Sequence, residues 1–275
     1  MARVSRMSRP EIDSGRVRQH FSNHAGDYDR YAVVQKRVVE GLLERLRAAG
    51  AVTGPVLEVG AGTGVLGLKF SAAYPRLPLV ISDLAHGMTR HAAGVVSGAM
   101  PLDADARNLP FRDHGFGLLL SSSMYQWVTD LPQAFGESAR VLRPGGRFAL
   151  ALFGEHTLCE LRDAHRQAVA ECGCSRGSHV QSFPTLDAVQ AAMSGAGFAD
   201  VQVETVFEVE RHADVPDLLR SLKKIGAQNA SSDSPAGLAS RRVMQRMMEI
   251  YRERHAAAGQ IPATYQVIYA TGVVR

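Results

Sequence analysis

VLEVGAGTG, residues 56–64, decides the fold of this chain. A short apolar run gives way at once to three glycines in five positions, which is how a buried strand turns sharply into a helix. At the carboxyl end of a parallel strand, such a turn brings backbone N–H groups close to a nucleotide-like ligand. Its spacing narrows the ligand. A dinucleotide turn requires G-x-G-x-x-G, but from Gly60 the chain reads Gly-Ala-Gly-Thr-Gly-Val, so the third glycine comes one place early and Val65 stands where a glycine is needed. That leans away from NAD and FAD.

Neighbouring residues suggest what binds instead. Gly60, Gly62 and Gly64 allow positive φ and remove the Cβ atoms that would keep a ligand off the backbone. Glu58 puts a carboxylate beside the turn, where it repels a pyrophosphate and suits a ligand carrying positive charge. The next strand ends in Asp83, 19 residues after Gly64, where an acid can accept both ribose hydroxyls. Asp105 follows the third strand, within reach of an adenine amino group.

Working outward from the turn, strands and helices alternate. PVLEV (55–59) is a strand, 64–73 a helix, LPLVISD (77–83) a strand and 88–96 a helix. A short segment follows at 101–103, then GLLLSS (117–122) as a strand, a helix over 131–142, the RPGG turn (143–146) and the strand RFALALF (147–153). Alternation of this kind predicts a doubly wound parallel α/β sheet. Upstream, Phe21, Tyr28, Tyr31, Val34, Val38, Leu42 and Leu46 recur at near-helical spacing, predicting two helices in an N-terminal cap, residues 1–50, before the main domain, residues 51–275. Downstream, a helix over 155–171 and another over 186–195 lead to the alternating strand DVQVETVFEVE (200–210). A mainly helical insertion, 211–262, with a Gly/Ser/Pro-rich middle at 226–237, separates it from the last strand, TYQVIYATGVV (264–274). The two late strands predict an antiparallel edge.

Composition agrees with one large, soluble α/β domain and a smaller cap. The chain has 275 residues, 45% hydrophobic and 21% charged, enough for a full core. No run of about 18 apolar residues occurs, and the basic opening MARVSRMSR lacks the apolar core of a secretory signal, so no membrane association is expected and the cytoplasm is the expected compartment. Three cysteines form no disulfide framework, and Cys172 with Cys174 has C-x-C rather than the usual C-x-x-C metal spacing, so no metal is expected. Net charge is only +4. Its basic residues crowd the last quarter, at Lys223, Lys224, Arg241, Arg242, Arg246, Arg252 and Arg254, without the interleaved aromatics of a single-strand nucleic-acid surface. They read either as a solvated helix face or as a surface for an acidic protein partner; no nucleic acid is expected.

Taken together, Glu58-Val-Gly60-Ala-Gly62-Thr-Gly64, Asp83, Asp105-Ala106 and Leu142-Arg-Pro-Gly-Gly146 resemble the successive motifs of class I S-adenosylmethionine-dependent methyltransferases. The resemblance implies a seven-stranded Rossmann-like sheet with the last strand inserted antiparallel. It also implies S-adenosyl-L-methionine as cofactor, with its aminoacyl end at the glycine turn and its ribose at Asp83, and with Leu84, Asp105, Ala106 and Ser121 completing the cofactor set. Ala61 stands where many relatives carry Cys, a place that tolerates small residues.

SSSMYQWV (121–128), SLKKIGAQN (221–229), IPATYQVIY (261–269), FSNHAGDYDRYAVVQ (21–35) and QSFPT (181–185) further resemble the malonyl-[acyl-carrier-protein] O-methyltransferases of the biotin pathway, from about residue 16 to the end. That resemblance implies O-methylation of the free carboxylate of a malonyl group on an acyl carrier protein; a monomer is expected. A carboxylate is ionised at pH 7 and already nucleophilic, so no general base is needed. Orientation is still required. Arg162 and Lys223 are the candidate cations for the substrate carboxylate, and Tyr28 and Tyr125 the candidate hydrogen-bond donors. Trp127 and Phe153 read as pocket wall or core, and Gln35 and Gln126 as buried polar contacts. Two other readings compete: methylation of a different acid or of a quinone precursor, whose ring proton would need a base such as His86, His91 or His156, and a cofactor-binding subunit that has lost its acceptor site.

Overall fold

A computed structural model describes residues 28–173, 183–225 and 238–275, together with Gly15, Arg18, Gln19, Phe21 and Ser22. Helix α1 (Tyr28–Tyr31) and helix α2 (Val33–Ala48) precede β1 (Val56–Val59), α3 (Val65–Ala73), β2 (Leu79–Asp83), α4 (His86–Val95), β3 (Met100–Asp103) and β4 (Phe116–Ser122). A single 3-10 turn (Tyr125–Trp127) leads to α5 (Leu131–Val141), β5 (Leu142–Phe153), α6 (Cys159–Glu171), α7 (Leu186–Gly195), β6 (Phe198–His212), α8 (Val215–Lys224), α9 (Leu238–His255) and β7 (Ile261–Val274). The strands form one sheet in the order β3-β2-β1-β4-β5-β7-β6. β1 to β5 pair in parallel, while β7 runs antiparallel between β5 and β6. This is the sheet that the methyltransferase motifs imply.

Alternation along the strands builds two cores. Leu118, Leu120, Ala149 and Ala151 pack on one face beneath α2, α3, α4 and α6, whereas Leu119, Phe148, Leu150 and Leu152 pack on the other beneath α5 and α7. Strand β1 lies between β2 and β4, so all four of its residues are buried, Glu58 included. Helix α2 buries Val34, Val38, Leu42 and Leu46 at the spacing read from the sequence, and its outer bases hold the edge strand: Arg37 bonds Glu208 at 2.9 Å and Arg45 bonds Glu204. Among the described residues no helix is long and apolar enough to cross a membrane.

Several boundaries shift by one to three residues, β6 and β7 extending to His212 and from Ile261 into the expected insertion 211–262, and two differ for a structural reason. β5 begins at Leu142 and runs through the Pro-Gly-Gly step, with Gly145 at a φ of +74° and a register slip against β4, so the turn expected at 143–146 is an irregular strand. Helix α6 starts at Cys159 and not near Glu155, because Gly154 and Leu158 donate their N–H groups to Gln266 and Thr264 of β7 and are drawn out of any helix. The glycine-rich loop 226–237, Cys174, His179 and the Gln181-Ser182 pair lie outside the described residues.

Candidate active site

The carboxyl ends of β1, β2 and β4 open into one cavity whose floor is the glycine turn. Gly60 and Ala61 both donate to the carbonyl of Ser82, at 2.8 and 2.9 Å, folding the chain back over β2. Gly60, Gly62 and Gly64 have φ of +77°, +55° and +88°, where a Cβ is costly. Gly60 has a second reason to lack one: a Cβ there would lie 2.2 Å from Cγ of Met124, the residue that leads out of β4 toward the cavity. Gly62 lines the cavity with open space on its Cβ side. Gly64 instead ends the turn, capping α3 in the left-handed conformation beside Ala92 and Val96.

Three carboxylates follow the turn. Glu58 is 1% exposed, lines the cavity, and has an Oε2 with no hydrogen-bond partner. Gly67 of α3 leaves it room, since a Cβ there would lie 2.7 Å from that oxygen. Burial first, and the charge of Asp83 second, push the Glu58 carboxyl up to about 8. An unmatched buried oxygen costs about 1–3 kcal/mol, and a ligand that brings a positive donor offsets that cost. Asp83 is held by two backbone amides, accepting from Gly62 at 2.9 Å and Ala85 at 2.8 Å. Burial raises its carboxyl above the ordinary range, opposed by those same N–H groups. Asp105 is gripped by the Arg107 guanidinium at 2.7 Å, which holds its carboxyl below the ordinary range. Leu84, Ala106 and Met88 supply apolar wall beside these acids.

The cap closes the other side. Thr63 donates to Asp29 of α1 at 2.6 Å, and Lys36 of α2 donates to the Asp29 carbonyl at 2.6 Å. Phe21 packs edge-on against Trp127 with ring centroids 5.4 Å apart, so a cap residue and the segment after β4 meet over the cavity. Tyr28, Gln35, Lys36 and Arg18 also face in. Burial, then the charges of Asp29 and Asp83, raise the Tyr28 phenol well above its ordinary value, so it stays an O–H donor at neutral pH.

The structure thus gathers Tyr28, Glu58, Gly60, Gly62, Asp83, Leu84, Asp105 and Ala106 around one cavity, with Gly64 at its base. Four expectations are corrected. Ser121 is fully buried and donates to the Val59 carbonyl at 2.7 Å, joining β4 to β1; its neighbours Ser122 and Ser123 line the cavity. Tyr125 points into the opposite core, between Phe135 and Phe148, with its hydroxyl 2.8 Å from that of Ser138. Arg162 turns back to the Glu155 carbonyl, and Lys223 projects from the last turn of α8 into a separate groove. Trp127 is cavity wall, as one of its two readings held, while Phe153 is core against Tyr265. Asp29, Thr63, Arg18, Lys36 and Met124 escaped the sequence reading, although Asp29 lies within the stretch 21–35 that carries the resemblance.

These residues fit S-adenosylmethionine. Glu58 matches an ammonium, Asp83 a ribose, and the wall of Leu84, Met88 and Ala106 beside Asp105 an adenine. The Methyltransferase domain family matches residues 57–150. The malonyl-[acyl-carrier protein] O-methyltransferase of Geobacter sulfurreducens is 46% identical over 264 residues, 95% of this chain and 99% of that protein. The biotin biosynthesis bifunctional protein BioHC of Saccharophagus degradans is 34% identical over 93% of this chain, which spans 46% of that longer protein. Among solved structures, phosphoethanolamine N-methyltransferase 2 of Haemonchus contortus, in complex with S-adenosyl-L-methionine, shares the fold with a TM-score of 0.56 at 17% identity, over 92% of this chain and 57% of that one. With the orphaned Glu58 and the amide-held Asp83 meeting the needs of that donor, the chain belongs to the malonyl-[acyl-carrier protein] O-methyltransferase family of S-adenosylmethionine-dependent methyltransferases.

Proposed function

We propose that this protein, acting as a monomer in the cytoplasm, methylates the free carboxylate of a malonyl group carried as a thioester on an acyl carrier protein, an early step toward biotin. One observation carries the reading. Similarity to the Geobacter enzyme extends over 95% of the chain, so it includes the cap and the β6–β7 insertion and not only residues 57–150 of the methyltransferase domain. The cap lines the cavity at the carboxyl ends of the strands, and the start of the insertion shares a groove with α1 of that cap.

Bound S-adenosylmethionine supplies an electrophilic methyl group on a positively charged sulfur. The chain's own work is alignment and the exclusion of water. Glu58, Asp83 and Asp105 with the glycine turn hold the donor side. Tyr28, an O–H donor beside the turn, and Arg18 and Lys36, the cap cations that face the cavity, are placed to orient an acceptor carboxylate, while Phe21 and Trp127 keep the space apolar. Arg107 is engaged by Asp105 and serves the donor side. No proton needs removing from an ionised acid.

This separates the reading from ring methylation. Among the described residues no histidine lines the cavity, and His86 is paired with Asp103 at 2.8 Å outside it. Incubation with methyl-labelled donor and malonyl carrier is expected to yield a base-labile methyl ester on the carrier. Label in a base-stable product from a quinone precursor, or donor binding with no turnover on any malonyl thioester, overturns the reading.

A further inference from the structure

The bases of the last third of the chain lie on two surfaces, one on α9, where Arg241, Arg242, Arg252 and Arg254 are exposed around Arg246, and one beside the cap. On α9, Arg246 is enclosed by Glu171 at 2.6 Å, Glu249 at 3.1 Å and Glu253 at 3.4 Å, so its charge is spent within the molecule. On the other side of the cap, between α1, the end of β6 and α8, lies a groove lined by Arg30, Arg211, Arg220, Lys223 and Lys224. Among the described residues, two acids line it. Asp217 is taken by Arg220 at 3.2 Å and by His212 at 3.3 Å, and Glu210 faces His212 at 3.5 Å. Arg30, Arg211 and Lys223 are exposed and form no ion pair among the described residues. Val33, 41% exposed, adds an apolar contact at the same place.

This groove adjoins the active-site cavity through α1. Tyr28 and Asp29 face the cavity, and the next two residues, Arg30 and Tyr31, face the groove. Among the described residues, the four-residue helix α1 contributes to both linings. The ends of β6 and β7 raise the groove to the level of the cavity mouth, because both run past the carboxyl end of β5, where Phe153 pairs with Val267 and the pairing of β6 with β7 continues to His212 and Ile261.

The geometry points to the groove of Arg30, Arg211 and Lys223 as the docking surface for the acidic carrier protein, with α1 as the sill over which the acyl arm enters the cavity. The inference rests on the proposed malonyl-carrier substrate. Its physical basis is charge complementarity: acyl carriers are acidic, and an unneutralised basic groove raises their encounter rate. It also gives Lys223 a role its position allows, at the partner's surface and not at the reacting carboxylate.

The test uses the full chain with Arg30→Glu and Arg211→Glu together, against Arg241→Glu and Arg242→Glu on α9 as control. Methyl transfer is followed to malonyl carrier and to malonyl-N-acetylcysteamine, which has no carrier. The groove pair is expected to raise KM for the malonyl carrier about tenfold or more and to leave kcat/KM for the short thioester within about twofold, with the α9 pair moving neither. The neutralising pair Arg30→Gln and Arg211→Gln is expected to show the same split in smaller measure. Equal losses on both acceptors, or a carrier-specific loss in the α9 pair instead, overturn the groove. If the wild-type protein turns over neither acceptor, the substrate reading fails by itself; fluorescence anisotropy of a labelled carrier then judges the groove alone, weaker binding by the groove pair supporting it and unchanged binding overturning it.

Discussion

The hydroxyl of Thr63, in the middle of the glycine turn, donates to the carboxylate of Asp29 on α1 at 2.6 Å, so the cofactor loop and the helical cap share one hydrogen bond across 34 residues of sequence. A bond to a charged acceptor is worth about 1.5–3 kcal/mol. Asp29→Ala is therefore expected to weaken donor binding by about tenfold or more while leaving the sheet intact. Calorimetric titration with S-adenosylmethionine, beside an unchanged far-ultraviolet circular dichroism spectrum, checks this.

Glu58 sets a pH dependence with a definite sign. Its folded carboxyl is pushed up to about 8 from an ordinary value of 4.5, so between those limits the folded chain keeps a proton that the unfolded chain has lost. Stability of the ligand-free protein therefore falls as pH rises through this window. Glu58→Gln removes the fall and is expected to raise the Tm by roughly 3 °C or more at pH 8, and by less at pH 5.5.

The same group links donor binding to proton release. A cationic donor beside Glu58 favours its ionised form, so binding near pH 7 is expected to release up to about one proton. Titration in two buffers of different ionisation enthalpy measures it. Glu58→Gln is expected to bind the donor more weakly and to lose that release; an unchanged release in the variant would place the proton elsewhere.

Gly60→Ala combines two costs: φ is +77°, and the new Cβ would stand 2.2 Å from Met124 Cγ. Together these are expected to destabilise the fold by about 2 kcal/mol or more and to abolish measurable donor binding. Adding Met124→Ala relieves the contact but not the backbone strain, so urea melts should show partial recovery of stability without recovery of binding.

Tyr125→Phe discriminates core from catalysis. Among the described residues its hydroxyl meets Ser138 alone, whose own hydroxyl donates to the Ala134 carbonyl at 2.8 Å, in the core beneath α5. The substitution is expected to cost about 1 kcal/mol of stability and to leave kcat and KM for the malonyl carrier within about twofold. A large fall in kcat would return Tyr125 to the site.

The proposed donor site was readable because it is local. Glu58, the glycines and Asp83 belong to a strand, its turn and the next strand, and the parallel register that puts Glu58 opposite Ile81 and Val59 opposite Ser82 follows from that alternation. Helix α7, expected over 186–195, has those bounds because its apolar spacing begins at a Thr185 cap, whose side chain accepts from Ala188. The segment after β4 was harder. SSSMYQW does not state which side chains turn upward, and the chain's reversal there puts Met124 and Trp127 in the cavity but Tyr125 in the opposite core. Ser121 and Ser122 are consecutive, and strand alternation sends them to opposite faces.

By itself the sequence determined the fold and brought Glu58 and Asp83 to the glycine turn, since hydrophobic period and turn chemistry act over a few residues and carry their own geometry; the donor followed from the resemblance of these motifs to methyltransferases. Only the tertiary structure decided which cations are available to an acceptor. Arg246 is cancelled by Glu171, 75 positions away, and Arg162 is turned back onto the Glu155 carbonyl ahead of its helix, whereas Arg30 and Arg211 line one groove across 181 positions with their charges unspent. Neutralisation is a property of distance in space, and a basic side chain looks the same in the sequence whether or not an acid is folded against it.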